Sequence, residues 1–169
     1  DQNACTAPHL VVWLGSDQNK QKAKKLFWNA VQQITSIEYD LPAVIAVDKL
    51  MAFCREAIGS GQVKRELMSD NTITRMSLEE LPEDVVEIRN LGGYFNEYDA
   101  HCLEEIAPLI TRKFQTLAYY GIEKTELQDF IIEHRLVGID RCVPIGKTLD
   151  FDLVWDGWDL IGAMSRVVN

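Results

Sequence analysis

A loop, a strand, a tight turn and a long amphipathic helix follow one another without a linker at the start of this chain. That succession constrains the fold more than any other feature. The loop Asp1-Gln2-Asn3-Ala4-Cys5-Thr6-Ala7-Pro8 is built of small residues around a cysteine, and it runs into the apolar, β-branched stretch 9–14. Such a stretch reads as a buried strand. Gly15-Ser16 then turns the chain, and Ser16 is placed to N-cap a helix. Ala4, Thr6 and Ala7 leave room beside the Cys5 sulfur, and Pro8 stiffens the exit. A cysteine in a loop before a core strand is a candidate thiol nucleophile.

The spacing predicts a first helix over 17–34 with Ala23, Leu26, Phe27, Ala30, Val31 and Ile34 on its inner face. Lys20, Lys22, Lys24 and Lys25 read as its solvated face, with a phosphate contact as the sharper alternative. Asp40-Leu41-Pro42 opens a second helix, ended by Gly59-Ser60-Gly61, whose inner face is Val47, Leu50, Met51, Cys54 and Ile58. Cys54 therefore reads as a core residue. Residues 62–70 are polar and are assigned to no element. Strands are expected over 72–76 and 85–88, with a turn at 77–82. Gly92-Gly93 reads as a turn or bulge that needs permissive backbone angles. A helix over 101–111, a strand over 114–120, a helix over 123–136 with Leu127, Phe130 and Ile131 inside, and a strand over 139–143 complete the pattern. Strand and helix alternate at lengths that point to βαβ units, an α/β fold with a mostly parallel sheet flanked by helices.

With 169 residues, 47% of them hydrophobic, the chain can bury one core and is expected to form one domain. No apolar run approaches the ~20 residues of a membrane span. A net charge of −9 argues against a nucleic-acid partner. Cys5, Cys54, Cys102 and Cys142 form no C-x-x-C and no zinc-finger spacing. Free thiols then point to a reducing, cytoplasmic setting. The acids near the C-terminus, Asp150, Asp152, Asp156 and Asp159, are interleaved with Phe151, Trp155 and Trp158. No histidine accompanies them, so no metal ligands are assigned. Asp156-Gly157 is an ordinary turn former, and the tryptophans read as packing a flap against the core.

Two segments carry a resemblance. Asp1 to Pro8 resembles the nucleophile loop of the aldehyde dehydrogenase superfamily, and its Asp-Gln-x-x-Cys form is closer still to that of a branch of it, the luminescence-type long-chain acyl-CoA reductases. Gly138-Ile139-Asp140-Arg141-Cys142-Val143-Pro144-Ile145-Gly146, followed by Leu153-Val154-Trp155-Asp156-Gly157-Trp158-Asp159-Leu160, is similar to that family's C-terminal signature. The resemblance implies an aldehyde dehydrogenase-like catalytic-domain portion over 1–169. The nucleotide-binding domain that precedes the nucleophile loop in that family is not in this sequence. It also implies reduction of long-chain acyl-CoA to fatty aldehyde by NADPH, bound mainly by that other domain, through a Cys5 acyl-thioester. An acyl-CoA or acyl-carrier substrate and a homo-oligomer are the implied partners. The backbone N–H of Cys5 would be one oxyanion donor, while a second donor and the activating base would lie upstream. Where the superfamily places a Glu-x-Phe-Gly-Pro turn, this sequence has Leu91-Gly92-Gly93, and Glu87 is not at matching spacing, so no cofactor-binding residue is assigned. His9 is the local imidazole, but four residues on, at the start of a strand, it points elsewhere.

The other readings are a non-catalytic domain that keeps the fold for oligomerisation or acyl-donor docking, and an aldehyde-oxidising dehydrogenase. No G-x-G-x-x-G follows an expected strand, so these residues alone are expected to reduce nothing. They are expected to expose an apolar patch and to self-associate.

Overall fold

The computed structural model describes residues 2, 4, 6–60, 63–66, 70–83, 85, 91–166 and 168. Their contacts divide the chain into two compact units, Asp1–Glu105 and Ile106–Asn169. The first unit holds β1 (Leu10–Trp13), α1 (Asp17–Glu38), α2 (Ala43–Ser60), β2 (Val63–Glu66), β3 (Thr74–Leu78) and β4 (Tyr94–Asp99). The strands form one sheet in the order β1-β4-β3-β2. β1 and β3 both run parallel to β4, and β2 is an antiparallel edge. The result is the expected α/β class with a mixed, mostly parallel sheet.

Side chains alternate across a strand, and β4 uses both faces. Phe95, Glu97 and Asp99 point to α1: Phe95 packs on Trp28 at 5.0 Å between ring centroids, and Lys24 pairs with Asp99 at 2.7 Å. Tyr94 points to the opposite face, where its hydroxyl donates to Glu56 of α2 at 2.9 Å. Tyr94, Asn96, Met76, Leu78 and Thr74 are buried on that side. The two helices thus sandwich the sheet. β1 and α1 form as expected, with the Ser16 hydroxyl accepting from the Asn19 N–H.

Both helices are turned away from the expected orientation. On α1 the inner residues are Lys20, Lys24, Phe27, Trp28 and Val31, while Leu26 and Ile34 are exposed. On α2 the inner residues are Lys49, Ala52, Phe53 and Glu56, while Val47, Leu50, Met51 and Ile58 are exposed. Cys54 is exposed as well, not a core residue. Polar anchors cause the turn. Lys49 has three carbonyls to reach, Glu56 has the Tyr94 hydroxyl, and Trp28 has a carboxylate. These bonds hold each helix by a face that mixes apolar with charged residues, and leave other apolar residues outside.

Three further expectations change. β2 forms in the stretch left unassigned. β3 runs on through Ser77 and Leu78, which were expected to turn. β4, the central strand, lies where only a turn was expected. The expected strand 85–88 falls mostly outside the described residues. Gly92 and Gly93 do adopt positive φ angles of 70° and 82°. A Cβ on Gly93 would strike the Thr72 carbonyl, and one on Gly92 the Ile45 side chain.

The second unit contains β5 (Thr116–Tyr119), α3 (Lys124–Glu133) and β6 (Arg141–Pro144), a βαβ unit with a parallel pair. Leu127 and Phe130 are buried, as their spacing predicts. β7 (Val154–Trp155) and β8 (Trp158–Asp159) form a hairpin whose turn is Asp156-Gly157, with φ angles of 51° and 80°. Positive φ at both central residues is the type I′ hairpin geometry. Trp155 lies between Phe151, stacked at 5.5 Å, and the Arg141 guanidinium, 3.9 Å from its ring centroid. Trp158 is exposed, so only one tryptophan of the pair is packed. A 3-10 helix, Leu103–Leu109, stands where a longer helix was expected, with Pro108 inside it. No helix among the described residues is long and apolar enough to cross a membrane.

Two methionines separate core from surface. Met76 is fully buried, and Met76→Ala should cost about 2–5 kcal/mol by leaving a cavity. Met164, by contrast, is exposed, and Met164→Ala should change stability by less than about 0.5 kcal/mol. Urea unfolding followed by tryptophan fluorescence measures both, and equal costs would contradict the burial described.

Candidate functional site

Gln2 fixes the N-terminal loop to the sheet. Its side-chain oxygen accepts from the backbone N–H of Gly93 at 3.0 Å and of Tyr94 at 2.8 Å. Its amide nitrogen donates to the carbonyls of Tyr94 at 2.8 Å and Pro8 at 3.2 Å. A single side chain thereby pairs with the start of β4 as a neighbouring strand would. Ala7 N–H also donates to the Ala4 carbonyl at 3.0 Å. Cys5 falls in that interval but lies outside the described residues, as do Asp1 and Asn3.

A cavity of about 320 Å³ opens beside this loop. Gln2, Ala7 and Pro8 form one wall, Val11 and Phe95 the floor, and Phe27 and Val31 of α1 the roof. Its volume lies at the low end of the ~300–1,000 Å³ usual for small-molecule sites, and its lining is mostly apolar. Gly92 and Gly93 border it, so the turn that binds Gln2 also shapes the cavity.

Lys49 braces that turn from the α2 side. It is 3% exposed, and its ammonium donates to the carbonyls of Gly92 at 2.8 Å, Thr72 at 3.2 Å and Asn71. Burial pulls its pKa down to about 8, with Asp70 opposing and Arg65 adding to the shift. The Asp70 carboxyl is held below its usual range, chiefly by the Thr72 hydroxyl at 2.5 Å and the Thr72 N–H at 2.8 Å.

Across the sheet from α2, Glu97 is 0% exposed and fully bonded. Its carboxylate accepts from Trp13 Nε1 at 2.7 Å, Trp28 Nε1 at 2.9 Å, Arg75 Nε at 2.5 Å and Arg75 Nη2 at 3.1 Å. Arg75 also lies 5.1 Å over the Trp28 ring.

The lysines of α1 are not one solvated face. Lys20 is buried against Asp17 at 3.1 Å and the Ala100 carbonyl at 3.5 Å, and Lys24 is engaged with Asp99; Lys22 and Lys25 are exposed. His9 is half-buried at the entry to β1. Cys102 is exposed, with its thiol pKa raised by a hydrogen bond to Glu104. Cys142 is half-buried in β6, and burial pushes its thiol up. Glu87 lies outside the described residues. In the second unit the acids serve the chain itself. Asp156 accepts from Gln115 at 2.6 Å, Asp159 caps α4 (Leu160–Met164), and Asp150 pairs with Lys147 at 2.8 Å. Arg141 of the resemblance segment donates to the carbonyls of Thr148 and Asp150.

Sequence reasoning missed Lys49, Glu97, Arg75, Trp13 and Trp28. The available signal was a lysine among apolar neighbours in a helix, and an acid in a stretch rich in aromatic residues.

Two predictions follow from the braces. Gln2→Ala should speed hydrogen exchange at the Gly93 and Tyr94 amides by about tenfold or more, since both lose their acceptor. Unchanged exchange would show that the loop is held otherwise. For Lys49 the folded pKa lies below the unfolded value of 10.5. Between pH 8 and 10.5 the unfolded chain therefore binds more protons, so this group makes stability rise with pH across that window. Lys49→Met should remove that increment while lowering stability overall. Identical pH slopes for the two proteins would contradict the lowered pKa.

Neither a scan against protein-family models nor a search of curated proteins finds a match to this chain.

Proposed function

We propose that this chain presents the Cys5 thiol for acyl transfer and serves the reduction of long-chain acyl-CoA to fatty aldehyde. The observation that carries the reading is the apolar cavity walled by Gln2, Ala7 and Pro8, residues on both sides of Cys5 in sequence. An acyl chain inside that cavity has its carbonyl at the loop. The Cys5 thiolate attacks the thioester carbonyl, the tetrahedral oxyanion collapses, and CoA leaves as a thiolate that takes up a proton. The product is an acyl-enzyme thioester. A backbone N–H of the loop is the first candidate to stabilise the oxyanion.

The hydride donor implied by the resemblance is NADPH. The described residues do not offer it a phosphate seat. The β1–α1 turn has one glycine, and Asp17 stands in the first turn of α1, paired with Lys20. Helix α3 opens on Glu123 with Glu126 in its first turn. Acids at helix N-termini oppose a pyrophosphate, which such termini otherwise attract. The hydride step is therefore assigned to none of the described residues.

Exposure of the chain to a long-chain acyl-CoA, followed by intact-mass and peptide mapping, tests the reading. One acyl group should be found on Cys5 and none in Cys5→Ala. Val31→Trp, which fills the cavity roof, should depress long-chain labelling about tenfold while sparing acetyl transfer. Labelling spread equally over Cys54 and Cys102 would mark simple thiol exposure and overturn the proposal.

A further inference from the structure

The outward face of α2 is used by nothing described so far. Val44, Val47, Met51, Cys54 and Ile58 recur at alternating intervals of three and four residues, which is the a/d spacing of a two-stranded coiled coil. All are exposed, Ile58 by 86%. Lys49 and Glu56 fall at the f position, opposite this seam, and both are bonded to the body of the unit. The stripe therefore points directly away from the sheet. Asp48 and Arg55 both fall at e, on one flank, and both are exposed. Neither makes an ion pair or hydrogen bond among the described residues.

We infer that this face seats a second copy of the chain, α2 against α2, antiparallel about a twofold axis. The sense follows from the flanking charges. In a parallel pair an e residue meets g of the other helix, so Asp48 meets Ala43 and Arg55 meets Leu50, with no ion pair. In an antiparallel pair e meets e, and Asp48 of each copy lies within one turn of Arg55 of the other. Met51 then packs on Cys54 of the second copy and Val47 on Ile58. The patch is self-complementary, as a twofold interface requires. The chain's charge of −9 opposes contact in general, whereas the flank of this stripe carries one acid and one base. The inference is independent of the acyl-transfer reading.

Sedimentation velocity of the whole chain over a concentration series tests it. The chain should dimerise. Asp48→Arg and Arg55→Asp should each weaken association about tenfold, because each creates two like-charge contacts, and the two combined should restore it. Met51→Asp should give a folded monomer with an unchanged circular dichroism spectrum. A monomer at about 0.1 mM, single reversals without effect, or a double reversal that fails to recover would each overturn the inference. So would a dimer lost on Leu26→Asp of α1 and untouched by Met51→Asp.

Discussion

A carboxylate with no access to water sits in the middle of β4, and the first unit is arranged to satisfy it. Glu97 takes two indole N–H bonds and a two-point contact from Arg75. Removing one partner would leave a buried charge short of donors, a loss of about 3–5 kcal/mol in comparable pairs. Trp13 comes from β1, Trp28 from α1 and Arg75 from β3, so the requirements of one side chain tie three elements to the fourth. The orientation of α1 follows. Trp28 must face the sheet, and Leu26 and Ile34 are carried outward with the helix rotation that this demands. The same logic holds on the other face, where Lys49 and Glu56 orient α2 and expose its apolar stripe.

Those constraints also make the cavity. Trp28 pins α1 at mid-helix, and on either side of it Phe27 and Val31 roof a space that the small residues of the N-terminal loop do not fill. Gln2 holds the loop at one edge, and Lys49 holds the Gly92-Gly93 turn from the far side. The cavity lies at the N-terminal ends of β1 and β4. Open α/β sheets generally bind ligands at the carboxyl ends of their strands. In the proposed reading the exception has a local cause: the thiol loop precedes its strand, and an acyl substrate would meet it there.

Much of the fold was legible. The strand–turn–helix opening, the Ser16 cap, the Gly92-Gly93 backbone, the βαβ of the second unit and the Asp156-Gly157 turn each rest on local chemistry, which a sequence displays directly; the two short strands that flank that turn were not expected. What stayed hidden depends on pairing between distant residues. Apolar periodicity assumes that an apolar face turns inward, and it fails where a lysine or a tryptophan N–H has a partner in the core. Lys49 looks like a surface residue until the carbonyls of Asn71, Thr72 and Gly92 stand around it. β4 looks like a loop because Asn96, Glu97 and Asp99 are polar, yet the Glu97 carboxylate accepts four hydrogen bonds inside the unit. At the candidate site, the loop and its cysteine were visible in sequence. The latch from Gln2 to Gly93 and Tyr94 was not, since it joins the two ends of the unit.

The most direct test of this account is a crystal structure of the chain after reaction with a long-chain acyl thioester. Electron density should run unbroken from the Cys5 sulfur into the space between Val11, Phe27, Val31 and Phe95. An acyl chain on a different thiol, or one joined to Cys5 but lying outside that space, would contradict it.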